Sequence, residues 1–215
     1  MSRLPVLASL LAAAASAQTM PVKRTNPSET FSAGLTYAQS REISGAGASD
    51  ASGVTLDARA SVTSQLYLAA AFANLKMDGI ATLPTPSTFD PKSYAIGFGT
   101  RFAAGNGSVE LSYAFRNVDL GSTGSWTASL ADKSDQHLLR LAYHLELGNG
   151  FTFGLGLTQI FNGGAGWDDL TAPEVTLGYK LGNGVSATLS HSTEDTLLGL
   201  QDGSGTTSVG VRLSF

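Results

Sequence analysis

Apolar residues in this chain recur at every second position over a series of short segments. The segment TSVGVRLSF at residues 207–215 shows the pattern. Its larger apolar residues are Val209, Val211, Leu213 and Phe215, and they alternate with Ser208, Gly210, Arg212 and Ser214. A period of two residues is that of a β-strand with one apolar face and one polar face.

The same alternation predicts ten strands, each of about the nine to eleven residues, or slightly fewer, that a tilted strand needs to cross a bilayer. The predicted strands are Thr30–Ser40, Val54–Val62, Gln65–Leu75, Ser93–Phe102, Ser108–Val118, His137–Leu147, Phe151–Phe161, Glu174–Leu181, Val185–His191 and Thr206–Phe215. The count falls to eight if the short strands that begin at Glu174 and Val185 are irregular.

Short and long connections alternate along the chain. The short ones lie at 62–65, 103–107, 148–150 and 182–184, and three of them contain GNG, which supplies the positive φ angles of tight hairpin turns. In an antiparallel meander this alternation brings all short turns to one end and all long loops to the other. The pattern predicts an all-β fold, a closed antiparallel up-and-down transmembrane β-barrel.

The two faces of the predicted strands differ in charge. One face carries Leu, Phe, Tyr and Val, whereas the other carries Gly, Ala, Ser and Thr together with the charged residues. The charged residues of this second face, with one histidine, are Asp57, Arg59, Arg101, Glu110, Arg116, Arg140, His144, Glu146, Lys180 and Arg212. In the third strand either face is plausible as the apolar one. Glu174, at a strand end, and Lys76, beyond one, are not part of the charged set.

A sheet with one apolar and one charged face can belong to a protein in water or to a protein in a lipid bilayer. A soluble barrel turns its apolar face inward, and a membrane barrel turns it towards lipid. Small side chains shield little backbone from water but fit a crowded lumen, and aromatic residues near both strand ends are typical of the girdles of a bilayer protein. Only 14% of the residues are charged, against about 25% in soluble domains. We therefore expect a membrane barrel with the charged residues in its lumen.

The N-terminal residues predict a cleaved signal peptide at 1–17, with Arg3, an apolar run and a small-residue cleavage site. A short periplasmic segment at 18–29 and the barrel at 30–215 follow. The chain has no cysteine, so we expect neither lipidation nor disulfides. A net charge of -4 without a block of Lys or Arg argues against nucleic acid as a partner. No motif indicates a metal or a cofactor.

The last strand, with Val209, Val211, Leu213 and Phe215, resembles the C-terminal signal by which the barrel assembly machinery recognises Gram-negative outer-membrane proteins. Together with the predicted signal peptide and meander, the chain resembles small outer-membrane β-barrel proteins as a superfamily, which includes porin-like and opacity-type barrels. The resemblance implies a monomer in the cell outer membrane, in contact with lipid and lipopolysaccharide.

The lumen charges allow two interpretations. Arg101 and Glu110 flank a tight turn, so we expect them to be cross-strand neighbours and an ion pair. Six basic candidates oppose three acidic ones, which favours an electropositive path for small anions. The alternative is that the charges neutralise one another and fill a narrow interior, because a ten-stranded barrel is only slightly wider than the eight-stranded barrels that side chains fill.

Three functions remain open. The first is a non-enzymatic, narrow porin-like pore or membrane-structural barrel with a basic lumen. The second is surface adhesion or recognition through long loops at 76–92 and 119–135. The third is an outer-membrane hydrolase, because Asp135 and His137 are similar to half of the omptin protease site and His191 is similar to part of the lipid A deacylase site. The chain is too short for an omptin, and the His-x-Ser order of the deacylases does not occur, so we predict no enzyme.

Overall fold

A computed structural model of the protein describes residues 30–43, 49–78, 88–121, 133–164, 168–199 and 205–215. The predicted signal peptide and N-terminal segment fall on residues 1–29 and lie outside this part of the chain. Within the described part, no helix is long and apolar enough to cross a membrane.

The described residues form eleven β-strands. They are β1 (Phe31–Ile43), β2 (Ser49–Ser61), β3 (Leu66–Asp78), β4 (Thr88–Phe89), β5 (Lys92–Ala104), β6 (Gly107–Asp119), β7 (Lys133–Gly148), β8 (Phe151–Asn162), β9 (Leu170–Gly182), β10 (Val185–Ser192) and β11 (Thr206–Ser214). The two-residue β4 pairs only with the end of β3, and the other ten strands follow one another in an antiparallel sheet. Because β1 pairs with both β2 and β11, the sheet closes on itself. The predicted up-and-down barrel is confirmed with ten strands rather than eight, since β9 and β10 are paired along their lengths.

Tight turns join the strands at one end of the barrel, which we call the turn end; the opposite end is the loop end. Asn149 and Asn183 each have a φ of 50°, and each is followed by a glycine that also has a positive φ. Two consecutive positive φ angles are the geometry of a type I′ hairpin, which Asn-Gly favours. These turns hold β7 against β8 and β9 against β10.

Several strands extend further towards the loop end than the alternation predicted. β2 begins at Ser49 rather than Val54, β7 at Lys133 rather than His137, and β9 at Leu170 rather than Glu174. The added outward positions are polar, charged or proline residues instead of large apolar ones. Backbone pairing therefore continues beyond the level at which the surface has to match lipid.

The outward face of the barrel is apolar. Large side chains are exposed there, Ile96 by 67% and Val209 by 56%, and exposed apolar surface on this scale marks a surface that another phase or partner covers. For a closed barrel that is apolar on all sides, the matching phase is a bilayer. The third strand, whose faces the sequence left open, exposes Leu66 and Leu68 and buries Tyr67 inside the barrel.

At the loop end the barrel interior contains large apolar side chains beside buried polar ones, whereas nearer the turn end it is mainly charged. The side chains buried there are Leu75, Met77, Val118, Leu120, Ile160, Leu170 and Leu198. This core was not predicted. Its signal in the sequence is the change from small or polar residues to large apolar ones on the lumen side where β3, β6 and β8 approach the loop end.

Candidate functional site

Glu110 lies at the centre of an ion cluster in the lumen. Its side chain is 2% exposed; its carboxylate accepts from Arg101 at 2.7 Å and lies 3.4 Å from both Arg59 and Arg140. Arg101 and Arg140 come from β5 and β7, the two neighbours of β6, whereas Arg59 reaches Glu110 from β2, three strand positions away. The predicted Arg101–Glu110 ion pair is therefore present, and it belongs to a cluster that bridges part of the lumen.

Three further ion pairs lie along the lumen: Arg140–Glu174 at 2.8 Å, Arg212–Asp57 at 2.5 Å and Lys180–Glu146 at 3.4 Å. The exclusion of Glu174 from the lumen set as a strand-end residue was wrong. Because β9 begins at Leu170, Glu174 lies within the strand, with its side chain on the lumen side.

Tyr67 packs against the Arg59 guanidinium, whose central carbon lies 5.1 Å from the ring centroid in a cation–π arrangement. The cross-strand partner of Tyr67 is Gly99, where a Cβ would come within 2.3 Å of the tyrosine ring. The lack of a side chain at Gly99 thus allows the ring to lie against the barrel wall. This contact was not predicted, and its sequence signal is a tyrosine opposite a glycine, the pairing known as aromatic rescue.

A cavity of about 230 Å³, which we call the charged cavity, lies beside these ion pairs. Asp57, Arg59, Tyr67 and Arg212 border it. Small residues on three adjacent strands also line it, namely Ala69, Ala71, Ala95, Gly97 and Ala114. One water molecule takes up about 30 Å³ in the liquid, so the charged cavity has room for several.

Residues 193–199, which follow β10, fold into the loop end of the barrel, and we call them the plug turn. Lumen side chains donate to its backbone carbonyls: Arg116 to Thr196 at 2.7 Å and to Leu197 at 3.2 Å, Gln136 to Leu198 at 2.8 Å, and Asn162 to Gly199 at 3.2 Å. Arg116 stands on β6, five strands from β11 around the ring. The plug turn therefore spans the lumen between opposite walls.

Asp195 stabilises the plug turn by hydrogen bonds to its backbone. Its fully buried carboxylate accepts from the backbone N–H groups of Leu197, at 3.1 Å, and of Leu198, and it attracts the buried Arg116 electrostatically. A buried charge needs such an opposite charge and hydrogen bonds to offset its desolvation. With Leu198 also fully buried, the plug turn is a packed part of the barrel at its loop end.

The ten residues predicted to line the lumen all lie on the lumen side of the sheet. Nine make the contacts given above, and His144 packs against Gly154, where a Cβ would lie 3.0 Å from its Nδ1. Glu174 and Asp195 are lumen acids that the sequence analysis missed. Among the described residues that make these charge contacts, five acids therefore oppose six bases, so the excess of positive charge is smaller than predicted. The role of these residues in transport stays a prediction.

The candidate residues of the hydrolase alternative lie on the outward face. His137 Nδ1 is 2.7 Å from the Tyr113 hydroxyl, and Asp135 accepts a hydrogen bond from Asn117 at 2.7 Å. His191 Nδ1 is likewise 3.0 Å from a threonine hydroxyl of the neighbouring strand. None of the three side chains faces the lumen. In the described part, no group of three or more His, Asp or Glu is placed to hold a metal ion.

The C-terminal strand closes the barrel against β1. The ring of Phe215 lies 6.3 Å from that of Phe31, and the Phe215 N–H donates to the Phe31 carbonyl at 2.9 Å. Val209, Val211 and Leu213 are exposed on the outward face. These four residues therefore lie at the seam of the barrel, and their recognition by the assembly machinery stays a prediction.

Comparisons with known proteins match the fold rather than the sequence. No protein-family model matches the chain, and no curated protein matches it. The crystal structure of an outer membrane channel from Pseudomonas putida F1 superposes with a TM-score of 0.51 at 11% identity, over 92% of this chain and 100% of that chain. The fold is that of an outer-membrane β-barrel. The β-domain of a Bordetella autotransporter gives a TM-score of 0.50 at 14% identity, over 86% of this chain and 100% of that chain.

Proposed function

We propose that the protein is a non-enzymatic barrel of the outer membrane that forms a narrow pore for small polar solutes and is held closed at its loop end by the plug turn. The observation that carries this proposal is the wall of alanine and glycine that leaves the charged cavity of about 230 Å³ in the lumen. A small barrel that serves only to stabilise a membrane is filled by its own side chains. Here the residues on three adjacent strands are instead among the smallest available.

The Glu110 cluster limits what passes. Its arginines reach the carboxylate from β2, β5 and β7, which narrows the lumen. The arginine side chains remain 23% to 44% exposed, so this constriction is wet and polar. Small hydrated solutes suit it better than large or apolar ones.

The plug turn and the apolar core beneath the loop end account for a closed state. Release of the plug turn opens the loop end, because its residues span the lumen between opposite walls. We therefore expect little current through the unaltered protein and more when the plug turn is released. A pore of this kind is compatible with the fold it shares with the P. putida channel, although a fold by itself does not specify a function.

A recording with engineered thiols tests the proposal, and the chain has no native cysteine to interfere. Ala71→Cys places a thiol in the charged cavity, whereas Leu68→Cys places one on the exposed outward side of the same strand, at a residue that does not line the cavity. Both are made together with Arg116→Ser, which removes the main donor to the plug turn. A charged thiosulfonate should reduce the planar-bilayer current of the Ala71→Cys protein and leave that of the Leu68→Cys protein unchanged.

Absence of current in both proteins contradicts a pore and favours a purely structural barrel. A current that the reagent affects equally at both positions contradicts passage through the charged cavity. The alternative of surface recognition concerns loops of which residues 79–87 and 122–132 lie outside the described part of the chain.

A further inference from the structure

A second cavity, of about 180 Å³, lies against the plug turn. Within the described part of the chain, seven hydroxyl-bearing side chains line it: Thr36, Thr55, Ser190, Ser192, Thr196, Thr206 and Ser208. The remaining lining residues are Ala38, Glu174 and Leu197. We call this space the hydroxyl cavity, because hydroxyls make up most of its lining.

The hydroxyls are arranged as cross-strand pairs on adjacent strands. Thr36 lies opposite Thr55 between β1 and β2, and Ser190 lies opposite Ser208 between β10 and β11, with their hydroxyls 2.6 Å apart. Each hydroxyl can donate one hydrogen bond and accept others. A solute with several hydroxyls of its own therefore finds donors and acceptors on neighbouring walls.

Charge selects against ionic solutes in this cavity. Among the residues that the structure describes, Glu174 is the only ionisable one in this lining, and the Arg140 guanidinium neutralises it at 2.8 Å. An anion entering the cavity meets the carboxylate, and a cation meets a carboxylate whose charge Arg140 already offsets. An ion of either sign would lose hydration water in the cavity without gaining an unpaired opposite charge, and this desolvation is unfavourable. The lining therefore suits a neutral molecule.

The volume sets the size of the solute. At about 30 Å³ per water molecule, the hydroxyl cavity equals about six waters. A linear polyol of three or four carbons fits this space. Thr196 and Leu197 of the plug turn line the cavity, so a bound solute also contacts the element that closes the loop end.

We propose that the hydroxyl cavity binds small neutral polyols of three or four carbons and makes them the preferred solutes of the barrel. The transport part of this inference rests on the proposed pore, whereas binding is measurable without it. Several hydrogen bonds between neutral partners give weak binding, which allows a solute to leave as readily as it enters.

Saturation-transfer NMR with glycerol and erythritol, on the folded barrel in detergent, tests the binding. The variant Thr36→Val/Thr55→Val removes two lining hydroxyls and keeps the β-branched shape that suits a strand. Thr207→Val is the matched control, since its hydroxyl lies on the outward face against His191. We expect about tenfold weaker binding of both polyols to the double variant and unchanged binding to the control. Lactate and ethanolamine, which are charged and of similar size, should not displace them.

Equal binding to the double variant and the control overturns the proposal, as does the absence of binding to the unaltered protein. Swelling of proteoliposomes in glycerol, with the plug turn released by Arg116→Ser, separates the site from the pore. If ion current is present but Thr36→Val/Thr55→Val leaves glycerol-driven swelling unchanged, the polyol preference fails and the pore stands. If no current flows, but polyols bind to the unaltered protein and not to the double variant, the proposed pore is contradicted and the proposed binding site is supported.

Discussion

Arg116 on β6 donates a hydrogen bond of 2.7 Å to the backbone carbonyl of Thr196, in the turn that follows β10. This single contact joins the wall at β6 to the plug turn inside the lumen. The guanidinium also donates to Gln136 Oε1, and Gln136 in turn donates to Leu198 O. Arg116 therefore both holds the plug turn and orients a second side chain that holds it.

Replacing Arg116 with serine should loosen the plug turn. The carbonyls of Thr196 and Leu197 lose their donor, and local opening then costs less free energy. We expect amide hydrogen exchange at residues 193–199 to become faster by about tenfold or more, measured by mass spectrometry on the barrel in detergent. Arg212→Ser is the matched control, because it breaks the ion pair with Asp57 without touching the plug turn. Equal acceleration in both variants contradicts the assignment.

Glu110→Gln should destabilise the barrel. The substitution leaves three arginines facing a neutral amide, and loss of one partner from a buried ion pair costs about 3–5 kcal/mol. We expect the low end of this range, because the arginines are partly exposed and water screens them. The loss of stability is measured by thermal unfolding, with the shift in gel mobility as the readout of the unfolded fraction. Glu146→Gln, whose pair with Lys180 is exposed, should stay within about 0.5 kcal/mol of the unaltered protein; a similar loss in both variants refutes a special role for Glu110.

Gly99→Ala should be costly only while Tyr67 is present. A Cβ at this position lies 2.3 Å from the tyrosine ring, and such overpacking costs about 1–3 kcal/mol. In a Tyr67→Ala background the same change meets an empty space and should be close to neutral. A double-mutant cycle on the unfolding free energy measures the coupling. If Gly99→Ala lowers the free energy of unfolding equally with and without Tyr67, the strain arises in the backbone and not from contact with the tyrosine ring.

Deletion of Phe215 should impair assembly more than it alters any activity. The ring of Phe215 contacts Phe31, so Phe31→Ala removes the same contact and leaves the C-terminal strand complete. We expect the deletion to reduce the heat-modifiable, folded fraction in outer membranes strongly and Phe31→Ala to reduce it only slightly. If the two changes have the same effect, packing at the seam explains the role of Phe215 and the proposed assembly signal does not.

The architecture of the barrel follows from features that the sequence displays locally. The period of two and the Asn-Gly turns identify the strands and their order, since both depend on neighbouring residues. The Arg101–Glu110 pair was predictable for the same reason, because its two residues flank one turn. The extensions of β2, β7 and β9 towards the loop end were not predictable. Strand pairing beyond the bilayer does not require large apolar residues at every second position, so the sequence shows no alternation there.

The contacts that close the lumen join residues distant in the chain. Arg59 and Glu110 stand three strand positions apart, and only the closed ring brings them within 3.4 Å. The plug turn likewise contains Asp195 and Leu198. In the sequence these two residues belong to a polar segment typical of a surface loop, and only the folded barrel brings Arg116 and Gln136 next to them. Inward folding of a loop depends on partners from several strands, so no short stretch of the sequence predicts it.

Single-channel recording in planar bilayers tests the central claim most directly, with the unaltered protein, Arg116→Ser and the control Arg212→Ser compared under the same salt and voltage. A pore closed by the plug turn predicts that the unaltered protein and Arg212→Ser are rarely open, whereas Arg116→Ser conducts steadily. Steady conduction by the unaltered protein, or a silent Arg116→Ser barrel that is folded by its gel mobility, would contradict the account.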